Sequence, residues 1–135
     1  MILFENSLIK LNYDPATDIL EVLYPDLHDY LMPEIKHSIN TLVDTVKNYD
    51  IKKILLDSSR TIISVGQQES REIASYLASG LAASRLQKLA RLQSASSTIE
   101  AISDSNVQYI RQAGLLPFDI QNFNNKTEAI AWLRA

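Results

Sequence analysis

Asp57, Ser58, Ser59 and Arg60 follow the apolar run Ile54-Leu55-Leu56 directly, and Ser64 stands close behind them. An aspartate in such a place can act as a general base or accept a hydrogen bond from a ligand. Its commoner role at a strand end is to accept local backbone amides, and that structural role is the reading taken here. The five residues nevertheless form the candidate ligand-binding set, since strand ends are where loops and helix N-termini of an open α/β sheet converge. Asp26 is expected near the same edge. His28 and His37 are the only histidines. Asp26 and Asp29 flank His28, yet nothing fixes a coordination geometry, so both histidines read as surface residues and no metal is expected.

Other chemistry is excluded by residue type. Without cysteine the chain has no disulfide, no thiolate metal site and no thiol nucleophile. There is no Gly-x-Ser-x-Gly turn, no His-Glu-x-x-His and no phosphate loop, and three glycines are too few to cradle a nucleotide. No catalytic residue and no cofactor are therefore assigned. Tyr24, Tyr30 and Tyr76 could line a lipid or small-molecule cavity, but six tyrosines scattered over the chain need no such explanation.

A net charge of −3 argues against non-specific nucleic-acid binding, which needs a concentrated basic surface. Between Glu72 and Glu100 the sequence lacks acids, and Arg85, Lys88 and Arg91 recur every third position. This strip reads as solvated surface. No window approaches the ~18 apolar residues of a membrane span, and Met1 to Lys10 lacks a basic region followed by a long apolar stretch. A cytoplasmic protein with no membrane partner is the expectation.

The elements that must hold these residues follow from hydrophobic rhythm. At 135 residues the chain suits one domain. Ile9 to Tyr13 alternates, Leu20, Val22 and Tyr24 share a face, and the intervening Asp14-Pro15-Ala16-Thr17-Asp18 supplies turn chemistry, which together predict a hairpin. Ile35, Ile39, Leu42, Val43 and Val46 predict a helix from about Pro33 to Tyr49. Lys53 to Asp57 reads as a buried parallel strand. Ser64 and Gln67 have capping-box spacing before a helix with stripe Ile73, Leu77 and Leu81, interrupted only by Gly80. Leu86 to Gln93 is open between a prolonged helix and a strand, and a strand at Lys88 to Leu92 makes the alternation regular. Ser97 and Glu100 repeat the capping-box spacing ahead of a helix that ends at Gly114. Pro117 to Phe123 suits an edge strand. Asn125 caps a last helix whose Ala129, Trp132 and Leu133 form one apolar face, with Trp132 a core anchor. The order predicts an α/β domain around a mostly parallel sheet.

The hairpin, the strand ending Leu55-Leu56-Asp57, the segment Lys88-Leu89-Ala90-Arg91-Leu92 and the ending Phe123-Asn124-Asn125-Lys126-Thr127-Glu128-Ala129-Ile130-Ala131-Trp132-Leu133 resemble small bacterial STAS-like (SpoIIAA-like) proteins, related to anti-sigma-factor antagonists. The resemblance covers nearly the whole chain, and the Glu-Ala-x-x-Trp-Leu ending is its most specific motif. It implies a right-handed β-α superhelix, about five strands in a mixed, mostly parallel sheet with the first strand antiparallel at its edge, and four helices. A non-enzymatic regulatory or protein-interaction module with a regulatory protein partner is the function it suggests. The family's phosphorylatable serine lies beyond the strand corresponding to Lys53 to Asp57. Asp57 matches the aspartate that ends that strand, so the phospho-motif falls near Val65 and Gly66, which cannot accept a phosphate, and the adjacent Ser64 reads as a helix cap. The resemblance therefore does not carry over phosphoregulated sigma-factor control. A rival reading is a small-molecule or lipid binder using the edge near Asp57 and Arg60, the direction taken by CRAL-TRIO proteins of similar fold.

Sequential crossovers of one hand gather helices on one sheet face and leave the other thinly covered. In a strand at Lys88 to Leu92, Arg91 would need water or a partner. Together these predict a homodimer over the open sheet face or an adjoining helix.

Overall fold

The turn chemistry of Asp14 folds the expected hairpin. Its Oδ1 accepts from the Ala16 amide and its Oδ2 from the Thr17 hydroxyl, both at 3.0 Å. Asp18 then takes a left-handed φ of 56°, a conformation that aspartate tolerates better than most residues. In the computed structural model, which describes residues 1–5, 9–23, 32–57, 67–93, 97–112, 114 and 117–135, this turn joins the second and third of six strands.

The elements are β1 (Ile2–Glu5), β2 (Lys10–Asp14), β3 (Ile19–Leu23), α1 (Met32–Asn48), β4 (Lys53–Asp57), α2 (Gln67–Ala82), β5 (Lys88–Leu92), α3 (Ser97–Gln112), β6 (Asp119–Phe123) and α4 (Lys126–Arg134). The strands lie in one sheet in the order β1-β2-β3-β4-β5-β6. β1 and β2 pair antiparallel, as do β2 and β3, and β3 to β6 run parallel. The mixed α/β sheet with four helices is as expected, and Lys88–Leu92 is a strand. β6 is the far edge strand.

Among the described residues the sheet has six strands, one more than the roughly five expected. β1 escapes the alternation test because its register on β2 shifts between Ile2 and Phe4, where a bulge inserts an extra residue. The continuous run Met1-Ile2-Leu3-Phe4 therefore carries no period of two.

The helices divide between the sheet faces. α1 and α2 bury Ile35, Ile39, Leu42, Ile73, Leu77 and Leu81 against Leu11, Leu20, Val22, Ile54 and Leu89 in the larger core. α4 covers the opposite face, where Ala129 and Leu133 pack on Ile19, Leu55, Ala90 and Leu92. Asn125 caps α4 by accepting the Glu128 amide at 2.8 Å. Lys88 tethers its other end, donating to the Trp132 carbonyl at 3.0 Å while its Nζ lies 5.2 Å from the centre of the Trp132 ring. Trp132 packs on Phe123 at 5.7 Å, the anchoring role expected of it. Gly80 is no accident of composition, for a Cβ there would stand 2.6 Å from Cγ2 of Val43, so glycine lets α2 approach α1. Gly114, at φ +72°, ends the α3 segment as predicted. No helix among the described residues is long and apolar enough to cross a membrane.

Candidate functional site

Parallel pairing aligns the strand ends. Leu23, Asp57, Leu92 and Phe123 are in register, one row across the C-terminal edge of the sheet. Alternation places this row on the α4 face, since Leu55 and Ala90, two residues back from Asp57 and Leu92, lie in the α4 core. Asp57 is partly buried there. Of the expected ligand set it alone is described: Ser58, Ser59, Arg60 and Ser64 lie outside the described residues, as do Asp26, His28, Asp29, Tyr24, Tyr30, Val65 and Gly66. His37 is exposed on α1, and no group of His, Asp and Glu among the described residues could hold a metal ion. Tyr76 is exposed, and its hydroxyl donates to Asn40 Oδ1 across the α1–α2 interface.

One residue earlier in each strand, Leu56, Arg91 and Asn122 form the matching row beneath the opposite helical layer. Contrary to expectation, Arg91 needs neither water nor a second copy as its partner. Nη1 and Nη2 of Arg91 each donate at 3.1 Å to one carboxylate oxygen of Glu100, and Nη1 also donates to Asn122 Oδ1 at 3.0 Å. Both ionic side chains are largely buried, 8% and 14% exposed. The partner Arg91 requires comes from its own chain, on α3. Glu100, read as half of a capping box, turns its carboxylate onto this guanidinium.

The basic strip dissolves for a geometric reason. An interval of three would keep residues on one face of a helix, but on a strand it sends them to opposite faces. Lys88 lies at the end of α4, Arg91 is buried below α3, and Arg85 stands in the preceding turn, its side chain 80% exposed and 3.6 Å from Asp50.

Among the described residues, the expectation of a thinly covered face holds over one half of it. α4 lies over β4, β5 and β6. Beyond it the hairpin side of the same face presents Glu5 and Lys10 in one row with Leu23, and Ile2 and Asn12 in the next with Glu21. Ile2 is 55% exposed and Leu23 43%. Lys10 pairs with Glu5 at 3.8 Å and Lys126 of α4 with Glu21 at 3.0 Å. This patch was not read from sequence, although a signal existed: placing Leu20 and Val22 inward forces Leu23 outward.

Between the hairpin and α4 lies a cleft of about 420 Å³. Its apolar lining comes from Ile19, Leu55 and Ile130, and Asn12, Glu21, Lys126 and Arg134 supply polar groups. The hairpin wall is stiffened by Tyr13, whose hydroxyl donates to Asp18 Oδ1 at 2.7 Å. That hydrogen bond first, then burial and the nearby carboxylates of Asp18, Asp14 and Asp50, push the phenol from 10.0 up to about 12.

No family model, curated protein or solved structure matches the chain.

Proposed function

We propose that the chain is a small STAS-like regulatory module that acts by docking, and that the hairpin half of its α4-bearing sheet face receives a second copy of itself. The observation that carries this reading is the exposure of Ile2 and Leu23 among paired charges on that face. The occupant follows from charge. Glu5 and Glu21 supply acids and Lys10 and Lys126 supply bases, so two copies related by a two-fold axis can set base against acid in a self-complementary contact. Strands about 4.8 Å apart rising about 3.3 Å per residue make the open patch on the order of 15 Å on a side. That is small beside the roughly 800 Å² per partner of a standard interface, so the dimer is a weak, exchanging one, as suits a module that also meets a regulatory protein partner.

The absence of cysteine allows a single spin label to be placed at will. A label at Glu5→Cys, on the rim of the patch, is expected to report a short intermolecular distance at high protein concentration. A label at His37→Cys, on the far helical layer, is expected to report a longer one. The reverse order would remove the patch as the contact.

The cleft favours a second reading, a small-molecule binder. Its volume falls within the ~300–1,000 Å³ of ligand sites, and an apolar lining with few polar groups suits a compact amphiphile. Leu55 of β4 lines this site, and Asp57 is not among its lining residues. Native mass spectrometry of gently purified protein would reveal a retained ligand, and a metabolite screen by melting temperature would detect one by mass action. Consistently empty protein that no metabolite stabilises would dispose of this reading.

A further inference from the structure

α3 is seated differently from the other helices. α1 gives Ile35, Ile39, Leu42, Val43 and Val46 to the larger core, α2 gives Ile73, Leu77 and Leu81, and α4 gives Ala129 and Leu133 to the smaller core. Among the described side chains of α3 none belongs to either cluster; of these Ile110 is buried and Ile102 and Val107 are partly buried. Polar contacts hold it along its length. Glu100 takes Arg91, Asp104 accepts from Asn122 at 3.5 Å, Ser105 accepts from Arg71 at 3.0 Å and Asn106 donates to Ser70 at 3.0 Å. Tyr109 lies under the Arg71 guanidinium at 4.8 Å, and Arg111 donates to the Ile120 carbonyl at 3.1 Å.

Two atoms in this seam are buried without a hydrogen-bond partner, the donor Arg71 Nε and the acceptor Asn106 Oδ1. Buried polar groups are nearly always satisfied by protein or by water, and neither of these atoms gains a protein hydrogen bond from the closed seam. Protein hydrogen bonds are exchanged for hydrogen bonds to water when such a seam parts, with a small net change, whereas parting an apolar core exposes surface with no compensation. A helix seated this way separates more readily than one seated in the core.

We propose that α3 is a displaceable element, which leaves α2, β5 and β6 as a unit while the sheet, α1 and α4 stay folded. Opening would uncover Arg91 and Asn122 of the sheet together with Ser70 and Arg71 of α2. The device stands apart from the dimer reading, because its surface is on the opposite face of the sheet.

Native-state hydrogen exchange on the full chain, read by mass spectrometry of segments, tests it. The α3 amides are expected to exchange at least about tenfold faster than the core-facing amides of α1, a ratio equivalent to about 1.4 kcal/mol. Glu100→Gln, which keeps the shape but removes the charge, is expected to quicken α3 exchange at least about tenfold further and leave α1 exchange nearly unchanged. Exchange of α3 at the same rate as α1 would overturn the proposal, as would a variant that quickens both alike. The wild-type comparison decides even if the variant fails to fold.

Discussion

The Tyr13 hydroxyl donates to Asp18 Oδ1 at 2.7 Å, tying the end of β2 to the left-handed residue that closes the hairpin turn. The neutral phenol is the form that makes this bond, and ionisation beside three carboxylates is opposed, which holds the folded-state value at about 12 against an unfolded value of 10.0. Since the folded value is the higher, the stabilisation is whole below pH 10.0 and is lost as pH rises through about 12. In ultraviolet titration one tyrosine is expected to ionise late, and Tyr13→Phe to abolish that late step. Persistence of the step in the variant would assign it elsewhere.

Gly80→Ala separates packing from propensity. Alanine favours a helix by about 1 kcal/mol over glycine, yet overpacking costs roughly 1–3 kcal/mol. The stiff Val43 side chain, 2.6 Å from the added methyl, cannot swing away freely, so a net loss of stability is expected in denaturant melts. Val43→Ala made together with Gly80→Ala should recover part of it, a coupling that independent sites would not show.

Lys88→Met keeps the aliphatic stem and removes the ammonium that binds the Trp132 carbonyl and faces its ring. A loss of about 1–2 kcal/mol is expected, with earlier loosening of α4 seen in the fluorescence of Trp132, the single tryptophan. Unchanged fluorescence melting would mean that the tether does not hold the helix end.

Asn125→Ala should cost about 1 kcal/mol, because the Glu128 amide loses the acceptor that starts α4. Asn125→Asp should retain most of the stability, since a carboxylate suits a helix N-terminus. Thermal melts of the two variants provide the comparison.

Much of this fold was legible because its local signals agree with the global ones. Asn125 and Glu128 announced α4, and the Lys53–Asp57 and Lys88–Leu92 strands fell where the rhythm of apolar residues put them. β1 was not legible because a bulge destroys the alternation by which strands are recognised. Arg91 was misplaced for a related reason: its strand was read correctly, but the carboxylate that neutralises it lies nine residues on, in a position that looked like a helix cap. Tertiary pairing of this kind has no signature in local spacing. Of Asp57, Ser58, Ser59, Arg60 and Ser64 only the first is described, and the open hairpin patch depends on how far a nine-residue helix extends across a sheet, which no motif encodes.

Sedimentation equilibrium tests the docking face most directly. The wild-type chain is expected to move from the mass of one chain towards that of two as concentration rises through the micromolar range. Leu23→Glu, which sets an acid at an exposed apolar position of the patch outside the core, should hold the protein at one chain with its circular dichroism unchanged. A wild-type mass of one chain throughout, or a dimer indifferent to Leu23→Glu, would contradict the account.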